Sequence, residues 1–177
     1  VVPHDDLLIA SDRLEVDDAD RVAGVHRPSA VLAHLTVREP VDRALDLCTG
    51  NGIQALLLSR HARHVVATDV NERALDFARL NLTLNEVANV ELRQGSLLDP
   101  VVGETFDCIA CNPPYVVSPD AAYTFRDSGL PGDRVACCTE GKALTVNGVA
   151  LTEPYLKHGD VPSTLTFDIT VPEGQVW

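Results

Sequence analysis

Val41-Asp-Arg-Ala-Leu-Asp-Leu-Cys-Thr-Gly-Asn-Gly52, continued through Ile53–Ala62 to His64-Val-Val-Ala-Thr-Asp69, is the stretch on which the fold turns. Val41–Cys48 reads as a buried strand, Gly50–Gly52 as a tight turn and Ile53–Ala62 as a helix, and His64–Asp69 is a second strand. Working outward, Asn71 is expected to cap a helix through Leu84, with Glu72 and Asp76 near its positive N-terminal end. Val90–Arg93 and Phe106–Cys111 read as two more strands. Upstream, Val31, Leu32 and Leu35 recur at helical spacing between Pro28 and Val37. Strands alternating with helices at these intervals mean βαβ units, hence an α/β fold with a parallel, doubly wound sheet.

The rest of the composition bounds the class. The chain has 177 residues, 45% of them hydrophobic and 23% charged, enough for one domain or one domain with an appendage. Fourteen Lys and Arg against 26 Asp and Glu give a net charge of −12, which argues against binding duplex nucleic acid by bulk charge. No apolar run approaches the roughly 18 residues of a membrane span and no leader pattern opens the chain, so a cytoplasmic protein is expected. The sequence contains no Met and is expected to be a fragment. Asp5, Asp6, Asp12, Glu15, Asp17, Asp18 and Asp20 surround one short apolar patch, Leu7–Ala10, so residues 1–20 are expected to form a solvated acidic arm. Cys108-x-x-Cys111 and the vicinal pair Cys137-Cys138 could be drawn as a four-thiolate zinc site, but the second pair is not C-x-x-C and Cys108 lies within apolar sequence, so buried thiols and no metal site are expected. His61-x-x-His64 is likewise expected to be a surface pair.

Past Pro131 the pattern changes. Val135–Cys138, Ala143–Val146, Val149–Leu151 and Thr164–Val171 look like short strands, with Asn147-Gly148 a hairpin signal between two of them. Lys142 and Lys157 both lie in this tail, whereas every basic residue before it is arginine. The expected division is therefore an arm over 1–20, an α/β core over 21–130 and a small all-β segment over 131–177.

Two features carry chemistry. Gly50-Asn-Gly52 leaves a strand and enters a helix, and Asp69 ends the next strand, where a carboxylate can accept hydrogen bonds from both hydroxyls of a ribose. NAD and S-adenosylmethionine (SAM) both carry that ribose, so this pair does not choose between them. Asn112-Pro113-Pro114-Tyr115, directly after the fourth core strand, makes the choice. Two prolines stiffen the backbone and remove donors, leaving carbonyl oxygens that, with the Asn112 amide oxygen, can grip both hydrogens of a planar –NH₂ group. Tyr115 offers a face for a flat amide or base. That corner suits methylation of an amine by a sulfonium donor, a reaction that needs alignment more than a strong base.

These residues resemble class I SAM-dependent methyltransferases, in particular the amino-methylating branch typified by HemK-like glutamine and N6-adenine methyltransferases, over about Val22 to Gly132. The resemblance implies a partial Rossmann-like sheet whose late strands are missing. It implies that Asp46, Gly50 and Gly52 line the methionine end of SAM, that Asp69 binds its ribose and that Ser96 and Leu97 flank its adenine. Cys48, Thr49, Asn51 and Val70 belong to the same cofactor-binding loops. Asn112, Pro113, Pro114 and Tyr115 would hold the acceptor amine, in a protein glutamine or an adenine. Two positions depart from the family: Cys48 stands where glycine is usual and Ser96 where Asp is common, and both are expected to weaken SAM binding. The segment Tyr123-Thr-Phe-Arg-Asp-Ser-Gly-Leu-Pro-Gly-Asp133 looks like a loop that follows the motif in actinobacterial members.

The tail is similar to another family. Gly132–Cys138, Leu144–Tyr155 and Phe167–Trp177 look like the β-rich body of type I signal peptidases, without the Ser nucleophile and Lys base those enzymes use. The expectation is SAM-dependent N-methyl transfer from a chimeric chain. The alternatives are a SAM-binding or inert module, or a peptidase-derived module without catalysis.

Overall fold

The computed structural model describes residues 1–114 and 123–127, together with two strands at 144–146 and 149–151. The elements in chain order are β1 (Val2–His4), β2 (Leu7–Ile9), α1 (Arg27–Leu35), β3 (Val41–Leu47), α2 (Ile53–Leu58), β4 (Ala62–Asp69), α3 (Glu72–Leu84), β5 (Val90–Gln94), a 3₁₀ turn (Asp99–Val101), β6 (Cys108–Cys111), β7 (Leu144–Val146) and β8 (Val149–Leu151).

β3 to β6 form one parallel sheet in the order β5-β4-β3-β6. The chain starts at β3, steps outward to β4 and β5, then crosses back to place β6 on the other side of β3. The reversal between β4 and β6 opens a crevice at the carboxyl ends of the central strands, where α/β sheets bind ligands. Alternation sorts the core by face. Ala44, Val65, Ala67 and Ala110 pack with Ala55 and Leu58 of α2, and Leu45, Leu47 and Val66 pack with Val101. α3 buries Ala74, Leu75, Ala78, Asn81 and Leu82, a stripe at helical spacing.

Several boundaries differ from those read in the sequence. α2 ends at Leu58 instead of Ala62, because the chain tightens into turns in which Arg60 and His61 donate to Leu57 and Leu58. The Asn89 amide then donates to the carbonyls of Ser59 and Ala62, at 3.0 and 2.9 Å, holding the corner from which β4 starts. α1 stops at Leu35, and β6 takes up regular pairing at Cys108, although Asp107 already exchanges bonds with Arg43.

The largest difference is at the N-terminus. Its first ten residues are a docked hairpin and not a solvated arm. β1 and β2 pair antiparallel, with Ile9 fully buried and Leu7 and Ala10 nearly so. α3 holds β2 through two asparagines one helical turn apart. The Asn81 amide oxygen accepts from Ala10 N at 2.7 Å and its nitrogen donates to Ala10 O at 2.9 Å. Asn85 repeats this with Leu8, at 2.9 and 2.8 Å. Two strand residues advance about 6.6 Å and four helical residues about 6 Å, so an i,i+4 pair of amides can match alternate peptides of a strand. The acids seen in the sequence lie around this hairpin and after it.

β7 and β8 pair antiparallel with Val146 opposite Val149, the register of a two-residue connection. Asn147 and Gly148 themselves, and the expected strands Val135–Cys138 and Thr164–Val171, lie outside the described residues. So do Tyr115 and the vicinal Cys137-Cys138.

Candidate functional site

The turn after β3 is built from its hydrogen bonds. Asp46 is 1% exposed. Its Oδ2 accepts from Ala55 N at 2.9 Å, in the first turn of α2, and from the Thr49 hydroxyl. Burial pushes the Asp46 carboxyl up to about 7 against the pull of those donors. Thr49 N donates to Thr68 O at 2.8 Å, which ties the turn to β4. Three residues of the turn take left-handed backbone: Cys48 (φ +62°), Gly50 (φ +56°) and Gly52 (φ +85°). A Cβ added at Gly52 would lie 3.1 Å from Ala78 Cβ and 3.2 Å from Ala78 Cα, so this glycine permits close packing of α2 on α3. A Cβ added at Gly50 meets nothing within 4 Å and would project into open space.

Asp69 ends β4 on the opposite lip. Its Oδ2 accepts from Gly50 N at 2.8 Å and its Oδ1 from Asn71 N at 2.9 Å, joining the two loops. Burial raises its carboxyl above the usual range, and the backbone donors of Asn71, Gly50 and Val70 oppose the shift. A carboxylate has about four acceptor positions, so capacity remains for two further donors. Gly95 N donates to Asp69 O at 3.0 Å and hangs the loop after β5 on the same strand end. Leu97 in that loop is also left-handed, at φ +46°.

These loops enclose a cavity of about 220 Å³. Cys48, Thr49, Gly50, Asn51, Asp69, Val70, Ser96, Leu97, Asn112 and Pro114 all line it, so residues spread over four loops face one space. Three candidates do not line it. Asp46 lies beneath the turn as its anchor, Gly52 faces α3, and Pro113 is off the wall. Tyr115 falls outside the described residues. The neighbouring Cys111 thiol and burial push the Cys48 thiol up.

The opposite wall went unread in the sequence. It consists of Arg21–Gly24 and His26 from the segment leading into α1 and Ser29 from the first turn of α1, with Thr124, Phe125 and Asp127. Thr124 N donates to Ala19 O at 2.9 Å and the Tyr123 hydroxyl bonds to Asp17, so the later loop rests on the earlier segment. Asn51 Nδ2 donates to Ala23 O at 3.1 Å, bridging the two walls. Ser29 Oγ lies 2.8 Å from His26 Nδ1. The only cue available was the quoted segment Tyr123–Asp133, which carried no role.

A family model, methyltransferase small domain, matches residues 23–128, more than half of the chain. The chain belongs to the methyltransferase small domain family. A second family, signal peptidase (peptidase S26), is carried by the C-terminal half, where its model matches residues 86–177. Where the two matches overlap, the described strands β5 and β6 are parallel members of the four-stranded sheet.

Among curated relatives of this methyltransferase family, the release factor glutamine methyltransferase of Aliivibrio fischeri is 37% identical, covering 72% of this chain and 49% of that protein. The ribosomal protein uL3 glutamine methyltransferase of Bordetella pertussis is 42% identical over 45% of this chain and 28% of its own. The chain thus spans half or less of the length of these relatives. A solved structure described as a precorrin 8W decarboxylase of Methanobacterium thermoautotrophicum aligns with a TM-score of 0.46 at 24% identity, covering 51% of this chain and 50% of that one. Among the described residues, no helix is long and apolar enough to cross a membrane.

Proposed function

We propose that this protein transfers a methyl group from SAM to the side-chain amide nitrogen of a glutamine in a protein. The observation that carries the reading is the meeting of the Asp69 carboxylate, the Gly50 turn and Asn112 around one cavity. The open space above Gly50, where any side chain would intrude, fits a ligand that approaches the backbone closely. SAM supplies a sulfonium-bound methyl as the electrophile.

The chain's own residues do the rest by position. Asp69, already fixed by Gly50 and Asn71, has acceptor capacity for the ribose hydroxyls. Val70 and Leu97 give apolar contact to a purine, and Ser96 offers a hydroxyl beside it. Asn112 Oδ1 and a carbonyl of the Pro113-Pro114 corner accept from the two amide hydrogens, which turns the nitrogen lone pair towards the methyl carbon. Bound SAM would supply the methyl at the point to which these acceptors direct the nitrogen, and the proton that the nitrogen gives up on methylation would pass to water.

A protein acceptor fits the net charge of −12 better than duplex nucleic acid does. The relatives named as glutamine methyltransferases support the same choice. On this reading the chain is a cytoplasmic chimera: residues 21–130 form the reacting core, and residues 131–177 a peptidase-like segment without a part in the reaction.

The test is calorimetric titration with SAM, followed by transfer of labelled methyl to glutamine peptides and to adenine-containing oligonucleotides. Asn112→Ala is expected to abolish turnover while SAM binding stays close to wild type. A mutant as active as wild type removes Asn112 from the mechanism. SAM binding with no transfer to either acceptor leaves a binding module in place of an enzyme.

A further inference from the structure

Arginines in this acidic chain are mostly spoken for. Arg43, Arg60, Arg63, Arg73, Arg79, Arg93 and Arg126 each lie within ion-pair distance of a carboxylate. Arg21 has no such pair among the described residues, although it lines the cavity. Its guanidinium sits 5.2 Å from the ring centroid of Phe125, another wall residue. Among the described residues its one side-chain hydrogen bond is a long 3.4 Å contact from Nη1 to Leu14 O, and its buried Nε has no partner there. A buried donor left unpaired costs free energy, and a guanidinium's planar fork matches a carboxylate.

The position is also held firmly. Arg21 N donates to Asp18 O at 3.0 Å, and the next residue, Val22, exchanges bonds with Asp12. Asp12, the carboxylate bound to that neighbour, is itself engaged by Arg73. Asn71 Nδ2 fixes Asp20 O at 2.8 Å from the other side. The side chain is thus seated on the Phe125 ring, anchored through its backbone and part of the cavity lining.

The geometry points to Arg21 as a carboxylate-binding residue of this cavity, with the Phe125 ring as its seat. The inference rests on the methyl-transfer reading and deepens it. Two carboxylates can enter such a site: the α-carboxylate of the methionine half of SAM, and an Asp or Glu side chain next to the target glutamine in the acceptor.

The experiment uses the full chain with Arg21→Met and, as a second variant that keeps the stem over Phe125, Arg21→Gln. Thermal melts first identify folded protein. Affinities are then measured for SAM and for 5′-methylthioadenosine, which keeps the nucleoside and lacks the carboxylate. If the cofactor supplies the group, SAM affinity falls about tenfold or more and methylthioadenosine affinity stays constant, the loss of one charge-assisted pair. If the acceptor supplies it, both affinities stay constant, and KM rises for a glutamine peptide with an adjacent acid but not for its neutral counterpart. A folded variant unchanged in all of these measurements overturns the role of Arg21 and leaves the methyl-transfer reading intact. Wild-type protein that binds neither nucleoside overturns both.

Discussion

The two walls of the cavity are made by different means. The sheet-side wall is cut from the carboxyl ends of parallel strands, and its turns are set by two carboxylate acceptors: the buried Asp46 beneath α2 and the partly buried Asp69 between two loops. The opposite wall is a segment laid across that edifice, held by the Asn71 amide on Asp20 O, the Arg73–Asp12 ion pair, the Thr124 N–H on Ala19 O and the Asn51 amide on Ala23 O, and it continues from a hairpin held by Asn81 and Asn85. In the first, Asp46, Thr49, Asn51 and Thr68 are shielded from water and have few alternatives. In the second, many contacts are exposed or replaceable by solvent. Damage to the first should therefore weaken the whole domain, whereas damage to the second should loosen one segment.

Asp46→Ala is the strongest test of that contrast. It strips the acceptor from Ala55 N and from the Thr49 hydroxyl in a site that water does not reach, costing about 3 kcal/mol. For a chain of this length that lowers the thermal midpoint by roughly 6 to 12 °C. Asp46→Asn keeps one acceptor oxygen and should fall between the two. A melt of Asp46→Ala that overlays wild type would mean the turn is set by its glycines alone.

Asn81→Ala probes the hairpin that leads into the other wall, with a smaller and more local effect. Asn81 is fully buried and bridges Ala10 to Asn51 O, the latter at 2.8 Å, so its loss leaves groups on both sides unpaired. The hairpin can lift away and hydrate them, which limits the cost to about 2 kcal/mol. Hydrogen exchange should show the amides of Leu8 and Ala10 losing protection while those of β3 and β4 keep theirs. Equal loss in both regions would show that hairpin and sheet unfold as one unit.

The same contrast explains what could be read in advance. The β3-α2-β4-α3-β5-β6 order was legible because strands buried on both faces and an apolar helical stripe leave periodic marks. The glycine turn and Asp69 were legible because backbone freedom and strand ends have residue signatures. The docked hairpin was not, since it is held by Asn81 and Asn85, polar residues that a periodicity reading treats as surface. Arg21 and Phe125 meet across a hundred residues, a distance no local pattern spans. Asp46 was placed at the ligand by resemblance, yet its side chain turns inward to the N–H of Ala55, and strand alternation had already put it on the α2 face with Ala44.

Cys48 should give the smallest effect, and the reason lies in its own turn. Cys48 and Gly52 share left-handed backbone, at φ +62° and +85°. A side chain in that conformation costs about 1 to 2 kcal/mol, so Cys48→Gly removes strain. It also frees the unfolded chain, at a cost of about 0.4 to 1 kcal/mol, and it gives up the thiol's packing against the buried cluster of Leu45, Leu47, Val66 and Val101. The opposing contributions nearly cancel, and the thermal midpoint should move by less than about 4 °C in either direction. Gly52→Ala meets the same backbone strain with none of the compensation, because its Cβ would press on the Ala78 backbone, 3.2 Å from Cα. That variant should be clearly less stable than Cys48→Gly. If the two melt together, close packing of α2 on α3 does not limit this turn, and backbone conformation alone governs what its left-handed positions accept.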